Sequence, residues 1–249
     1  MSKATASKVK VDPTIIYPDS DGKPMAENTK QYQYIVMLHT GIASHFADNP
    51  NVFVAADLLW YAVEGWPSIR VAPDVMVIFG RPKGHRGSYQ QWLEGDVAPQ
   101  GAIEILSPGN TKSEMDEKLT FYEEHGIEEY IEYDPDRGKL QVWQRKGRKL
   151  MPVVFGREWS SPLLEIRLRL EADGELSAFH PDGRKFLTAV EIDQLAQREH
   201  ARAEQEYARA EQEKARAEQE KARAEQEKVH AELMAAKLRE LGIDPETLR

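Results

Sequence analysis

Asp74, Glu104 and Lys118 are the residues of this chain whose types and spacing could do chemistry. Asp74 follows Pro73 and opens the apolar run Val75-Met76-Val77-Ile78-Phe79. Glu104 interrupts a second run, Ala102-Ile103-Glu104-Ile105-Leu106, which stops at Ser107-Pro108. Successive side chains of a β-strand point to opposite faces, so a carboxylate in such a run either turns away from its apolar neighbours or is buried with a partner. Two carboxylates on neighbouring strands can share a hard divalent cation, and a nearby lysine can meet the charge of an anionic substrate. Those three groups are the minimum for metal-dependent cleavage of a phosphodiester. Taken singly, each acid reads as an ordinary strand-end or surface carboxylate. Taken with Lys118, and with the break Glu104 makes in a run suited to a buried strand, the chemical reading gains ground.

These groups need a scaffold, and the pattern supplies one. From Glu27 to about Ala47, Tyr34, Ile35, Leu38, Ile42 and Phe46 recur at three- and four-residue spacing, which predicts an amphipathic helix. Val52–Ala55, 58–61, 71–79 and 101–106 read as strands. Thr111 or Ser113 can cap a helix that ends at Gly126, and this helix carries Lys118 about two turns in. Residues 129–133, 140–144, 151–155 and 164–170 continue in β fashion, with Asp134-Pro135-Asp136-Arg137-Gly138 as a turn. Helix, strands, helix and more strands indicate an α/β sandwich over 25–190, preceded by a loosely ordered segment over 1–24.

The chain has 249 residues and no cysteine, so disulfides and thiolate metal sites are excluded. No segment approaches the ~20 apolar residues of a membrane span, and the expectation is a soluble cytoplasmic protein. The formal charge is −9. Residues 198–249 carry 11 basic and 13 acidic side chains, which leaves −7 on the preceding part. A nucleic-acid partner therefore needs a local basic face or a bound cation to offset that charge.

Beyond Leu195 the character changes. AEQEKAR recurs at 210–216 and 217–223, and AEQEKVH follows at 224–230, predicting one long charged helix over 191–249 with ion pairs such as Glu211–Lys214 and Lys214–Glu218. With Ala203, Ala210, Ala217 and Ala224 as one core position, Tyr207 and lysines 214, 221 and 228 occupy the other, a poor coiled-coil seam. Met234, Leu238 and Leu241 give the apolar four-three spacing at which the last turns could pair. A charged spacer that pairs with nothing is an equal reading.

An ordered series of motifs adds to this. Arg70-Val71-Ala72-Pro73-Asp74-Val75, Glu104-Ile105-Leu106-Ser107-Pro108, Lys118-Leu119-Thr120-Phe121-Tyr122, Gly126-Ile127-Glu128-Glu129-Tyr130 and Asp134-Pro135 together resemble the Uma-type family, a branch of the PD-(D/E)XK restriction-endonuclease-like superfamily. The likeness covers about residues 25–170. It implies a central mixed β-sheet flanked by helices, to which the long C-terminal α-helix is appended. It also implies Asp74 and Glu104 as metal ligands, joined by the backbone carbonyl of Ile105, with Mg²⁺ or Mn²⁺ as cofactor. The superfamily signature puts a lysine two residues after the acid, where this chain has Leu106. Lys118 matches the place on the next helix to which this branch moves it, with Lys112 as the weaker substitute.

Glu27 resembles the acid that superfamily members contribute from an N-terminal helix, and it equally suits a helix N-terminus. Asp57 is a supporting group or a strand-end turn residue, and Tyr122 reads as core. Arg81, Lys83 and Arg86 form the densest basic cluster and could hold a phosphate backbone, with Tyr89 and Trp92 nearby for stacking, although a solvated loop with packing anchors fits them as well. The expected function is a Mg²⁺-dependent DNA endonuclease. The rivals are a catalytically silent nucleic-acid-binding relative and an interaction protein working through its long helix. Two strands require two active sites, so a homodimer formed through the sheet domain is expected.

Overall fold

Asn28 starts the first helix by accepting the amide of Gln31 on its side chain, which satisfies one of the donors a helix N-terminus leaves open. That helix, α1, runs Thr29–His45 and buries Ile35, Leu38 and Ile42 completely, at the spacing the sequence predicts. The structure is a computed structural model that describes residues 14–22 and 24–242. The next elements are β1 (Val52–Ala55), β2 (Trp60–Tyr61), β3 (Arg70–Val71), β4 (Val75–Phe79), β5 (Tyr89–Gln90) and β6 (Gly101–Ile105). Then come α2 (Lys112–His125), β7 (Glu129–Asp134), β8 (Lys139–Lys146), β9 (Lys149–Pro152), β10 (Glu158–Ser160), β11 (Arg167–Leu170), β12 (Leu176–Phe179) and α3 (Ala189–Glu240).

Six strands form one mixed sheet in the order β1-β4-β6-β7-β8-β9. All neighbours are antiparallel except β6 and β7, and α2 is the crossover that this parallel step requires. The sheet is buried on both faces. On one, Val75, Val77, Ile103, Ile105 and Ile131 pack with α1 and with Leu164, Leu168, Leu176 and Phe186 from the later strands and turns. On the other, Met76, Ile78, Ala102 and Tyr130 pack with Tyr122 of α2 and with Trp60 and Tyr89. Double burial is why β4 and β6 read as near-continuous apolar runs. The fold is the mixed α/β sandwich expected, with the parallel pair at its centre.

Several boundaries differ from the sequence reading. The run 71–79 is two strands, because Pro73 has no N–H to donate and restricts Ala72, so the ladder breaks where the chain passes from one sheet to another. β3 joins β2 and β5 in a small three-stranded sheet, and β10-β11-β12 form another. Of the segment expected to be loose, residues 1–13 and 23 lie outside the described residues. Tyr17 and Pro18 are anchored: the Tyr61 hydroxyl donates to the Pro18 carbonyl at 2.6 Å, and the Gly65 amide donates to the Tyr17 hydroxyl at 2.6 Å.

The chain divides into two units, Met1–Ala189 and Val190–Arg249. In the second, the ion pairs differ from those expected. They run from arginine to the glutamate one turn on, as in Arg202–Glu206, Arg209–Glu213 and Arg223–Glu227 at 3.4, 3.5 and 3.1 Å. Among the described residues no helix is long and apolar enough to cross a membrane.

Candidate active site

The register of β4 against β6 pairs Val75 with Ile103 and Met76 with Ala102. Carried one step further, it sets Asp74 opposite Glu104 just past the end of the ladder. Both acids keep phase with Met76 and Ala102, so they belong to the α2 face. The Ile105 amide donates to Asp74 Oδ2 at 2.6 Å and fixes that carboxylate. Glu104 is only 2% exposed, and α2 reaches both of its oxygens. Lys118 Nζ donates to Oε2 at 2.8 Å, and the Tyr122 hydroxyl donates to Oε1. Lys118 and Tyr122 are one turn apart, which puts them on one face of α2. Thr111 caps that helix, its side chain accepting the Glu114 amide at 3.2 Å, so the cap sets where the turn bearing Lys118 falls.

These groups line an open cleft of about 780 Å³. Glu27 reaches it from just before α1, and the Ser107 hydroxyl donates to its Oε2 at 2.6 Å. Asp57 reaches it too, in the left-handed region at φ 48°, with its amide donating to the carbonyls of Pro73 and Asp74. Seven carboxylates line the cleft (Asp21, Glu27, Asp57, Asp74, Glu104, Glu114 and Glu117) against two cations, Arg70 and Lys118. The electrostatics follow from that imbalance. Burial and then Glu104 push the Asp74 carboxyl well up, against the opposing Ile105 amide and Lys118. Burial, Asp21 and Glu104 raise Asp57 against Lys118. For Lys118, burial alone lowers the pKa, but Glu104 and Asp74 outweigh it and the ammonium is held more firmly charged.

The structure therefore brings Asp74, Glu104, Lys118 and Glu27 into one cleft and leaves out other expected residues. Lys112 is exposed, pairs with Asp116 at 3.3 Å and does not line this cleft. The Ile105 carbonyl is not a lining group: it accepts Gln31 Nε2 at 2.8 Å, which occupies it as an anchor between β6 and α1. Arg81, Lys83 and Arg86, expected as phosphate contacts, lie outside the lining of this cleft and hold partners within the chain. Arg81 donates to the Glu94 carbonyl at 2.7 Å, and Arg86 pairs with the Glu94 carboxylate at 2.6 Å while lying over the Phe53 ring. Lys83 Nζ caps the end of α1 on the carbonyls of Phe46 and Ala47 at 2.8 and 2.6 Å. Tyr89 is fully buried and donates to the Val97 carbonyl at 2.6 Å, and Trp92 packs on Tyr17.

Gln31 is a site residue that sequence reasoning passed over, and Tyr122 is one that it read only as core. Each had a signal. Gln31 sits four residues before Ile35, a polar group on the buried stripe of α1, and Tyr122 sits one turn after Lys118.

The sequence model of the Uma2 family, described as "Putative restriction endonuclease", matches residues 23–173. The chain belongs to the Uma2 family. That places it, at the family level, among nucleases. No curated protein matches the chain. Among solved structures, a protein from Anabaena variabilis described as a "putative nuclease belonging to DUF820" is similar at 17% identity, over 57% of this chain and 77% of its own, with a TM-score of 0.44. The Uma2 match spans all of α1, the six-stranded sheet and α2, and ends before β12 and α3.

Proposed function

We propose that the protein is a metal-dependent endonuclease that hydrolyses phosphodiester bonds of DNA in the cleft lined by Asp74, Glu104 and Lys118. The observation that carries this reading is Lys118 Nζ at 2.8 Å from Glu104 Oε2, with Asp74 opposite Glu104 across β4 and β6. In this reading Lys118 of α2 takes the role of the superfamily's strand lysine, whose position is held here by Leu106.

Asp74 and Glu104 are the residues that would hold the cation. Among the described residues no three His, Asp or Glu are gathered as a ready ligand set. The donor chemistry nonetheless fits Mg²⁺ or Mn²⁺: two carboxylates facing one cleft, no thiolate in the chain, and a charge that one lysine leaves unbalanced. When bound, such a cation polarises the phosphate and lowers the pKa of a coordinated water.

The chain's own groups do the rest. The Ile105 amide orients Asp74, and Tyr122 holds the oxygen of Glu104 that Lys118 does not. Gln31 locks the end of β6 to α1, so the two carboxylates ride on rigid elements. Lys118 has a flexible stem and a permanently charged head. When phosphate enters, it can turn from Glu104 toward the oxygens on which charge gathers in the transition state.

Nicking of supercoiled plasmid in Mg²⁺ or Mn²⁺ tests the proposal. The wild-type protein should nick, Asp74→Ala should not, and Lys118→Ala should be slower by about 10²–10³-fold, the usual cost of removing one transition-state charge donor. Lys112→Ala should match wild type. If wild-type protein binds DNA without cutting it in either metal, the protein is a silent binding relative instead.

A further inference from the structure

The charges of α3 are sorted in a way that solvation alone does not require. With Gln205 as position a of a heptad, the a positions are Gln205, Gln212, Gln219, Gln226 and Leu233. The d positions are Ala201, Ala208, Ala215, Ala222, Val229 and Ala236. Position e is then Arg202, Arg209, Arg216, Arg223, His230 and Lys237, and position g is Glu204, Glu211, Glu218, Glu225 and Glu232. No acid stands at e, and no base stands at g until Arg239 at the end of the helix.

We propose that α3 pairs with α3 of a second copy of this chain as a parallel, in-register, two-stranded coiled coil. A strict seven-residue repeat keeps one seam facing a partner helix only if the two supercoil. In a parallel pair each g residue faces the e residue five positions later on the other helix. Glu204 then meets Arg209, Glu211 meets Arg216, Glu218 meets Arg223, and the match continues through Glu225 with His230 and Glu232 with Lys237. In an antiparallel pair, g faces g and e faces e, setting glutamate against glutamate and arginine against arginine. Charge therefore selects the orientation.

The helix's own ion pairs leave the g row available beyond Glu204, which lies 3.8 Å from His200. The arginines at e reach the b glutamates Glu206, Glu213 and Glu227 of their own helix, whereas among the described residues Glu211, Glu218 and Glu225 pair with no cation. Alanine at d permits close approach, and glutamine at a can hydrogen-bond its counterpart across the seam. Each contact is weak, and their number along a helix of 52 residues compensates. The identical repeats would tolerate a slip of one heptad. Val229 and Leu233, which are 48% and 59% exposed, oppose it, because only the in-register pair sets each against its own apolar counterpart. Met234 and Leu241 fall at b and Leu238 at f, outside this seam. Both copies of the preceding domain then lead into the same end of the pair. The pairing does not depend on the nuclease reading.

The absence of cysteine makes the test direct. In the full chain, Ala208→Cys at d should give a disulfide-linked dimer under mild oxidation, and Ala210→Cys at f should not. The variant carrying Arg209→Glu, Arg216→Glu and Arg223→Glu should be monomeric by light scattering while keeping its helical circular dichroism. Mixing it with the variant carrying Glu204→Arg, Glu211→Arg and Glu218→Arg should restore a dimer with one chain of each. A monomeric wild-type chain at tens of micromolar, equal cross-linking at both cysteine sites, or a triple variant that stays dimeric would overturn the proposal.

Discussion

At the scale of residues, the acids were legible and their fastenings were not. Asp74 and Glu104 show in the sequence because one opens an apolar run and the other breaks one, and Lys118 shows as the cation of the next helix. Which groups hold them depends on contacts between elements far apart in the chain, such as Gln31 with Ile105 across 74 positions. The partners of the basic loop were hidden for the same reason: nothing local reveals that Glu94 meets Arg81 and Arg86. The fastenings also predict how variants behave. Glu104→Ala would leave the buried Tyr122 hydroxyl without a partner, at about 1–3 kcal/mol, so Glu104→Gln should lose cleavage with a smaller drop in urea midpoint than Glu104→Ala. Far from the cleft, Glu129 is buried, accepts the Ser161 hydroxyl, and has its pKa raised by burial to about 7. Below the unfolded value near 4.5 both states hold the proton. Between there and 7 only the folded state keeps it, so stability falls as pH rises, by about 3 kcal/mol in all. His39, His125 and His180 are lowered by burial and act in the opposite sense. The measurement is therefore the difference in stability between wild type and Glu129→Gln from pH 5 to pH 8, which should shift in favour of the variant as pH rises. A flat difference would mean that Glu129 titrates normally.

At the scale of elements, periodicity carried most of the fold. α1 and the strands at the centre of the main sheet were readable because burial on one stripe or on both faces imposes a pattern, α2 from its cap and its glycine stop, and α3, which buries no residue, from its seven-residue repeat. The two-residue strands and the break at Pro73 were not, since their pairing is set by the partner strand and not by their own sequence. Gly41 shows how packing overrides local propensity. In the middle of α1, replacing it with alanine should stabilise an isolated helix by about 1 kcal/mol. In this protein an added Cβ would stand 2.0 Å from a ring carbon of Phe186, a side chain only 1% exposed with little room to retreat. Overpacking of that kind costs about 1–3 kcal/mol or more, so the clash wins. Gly41→Ala should lower the thermal midpoint, and Phe186→Leu in that background should recover part of the loss. A rise in midpoint for Gly41→Ala alone would show that α1 and Phe186 pack less closely than described.

At the scale of the whole molecule, charge decides how DNA is met. The chain carries −9, and the cleft sets seven carboxylates against Arg70 and Lys118. Most of the affinity of ordinary DNA-binding proteins comes from cations that neutralise phosphates and release counterions. Here the loop cations that could have done this are fastened to Glu94 and to the end of α1, so the cleft should repel a bare phosphate backbone unless a divalent ion sits between them. Fluorescence anisotropy with a labelled duplex should accordingly show little binding in EDTA and clear binding in Ca²⁺, a hard cation that Asp74 and Glu104 suit equally. Few phosphates would then be neutralised by side chains, so the slope of log affinity against log salt should be shallow, roughly −2 to −3, as expected for two or three contacts. Asp74→Ala should abolish the response to Ca²⁺ while leaving the weak binding in EDTA unchanged. Tight, steeply salt-dependent binding in EDTA would mean that DNA is held by a basic surface elsewhere on the chain and that the acidic cleft is not where it enters.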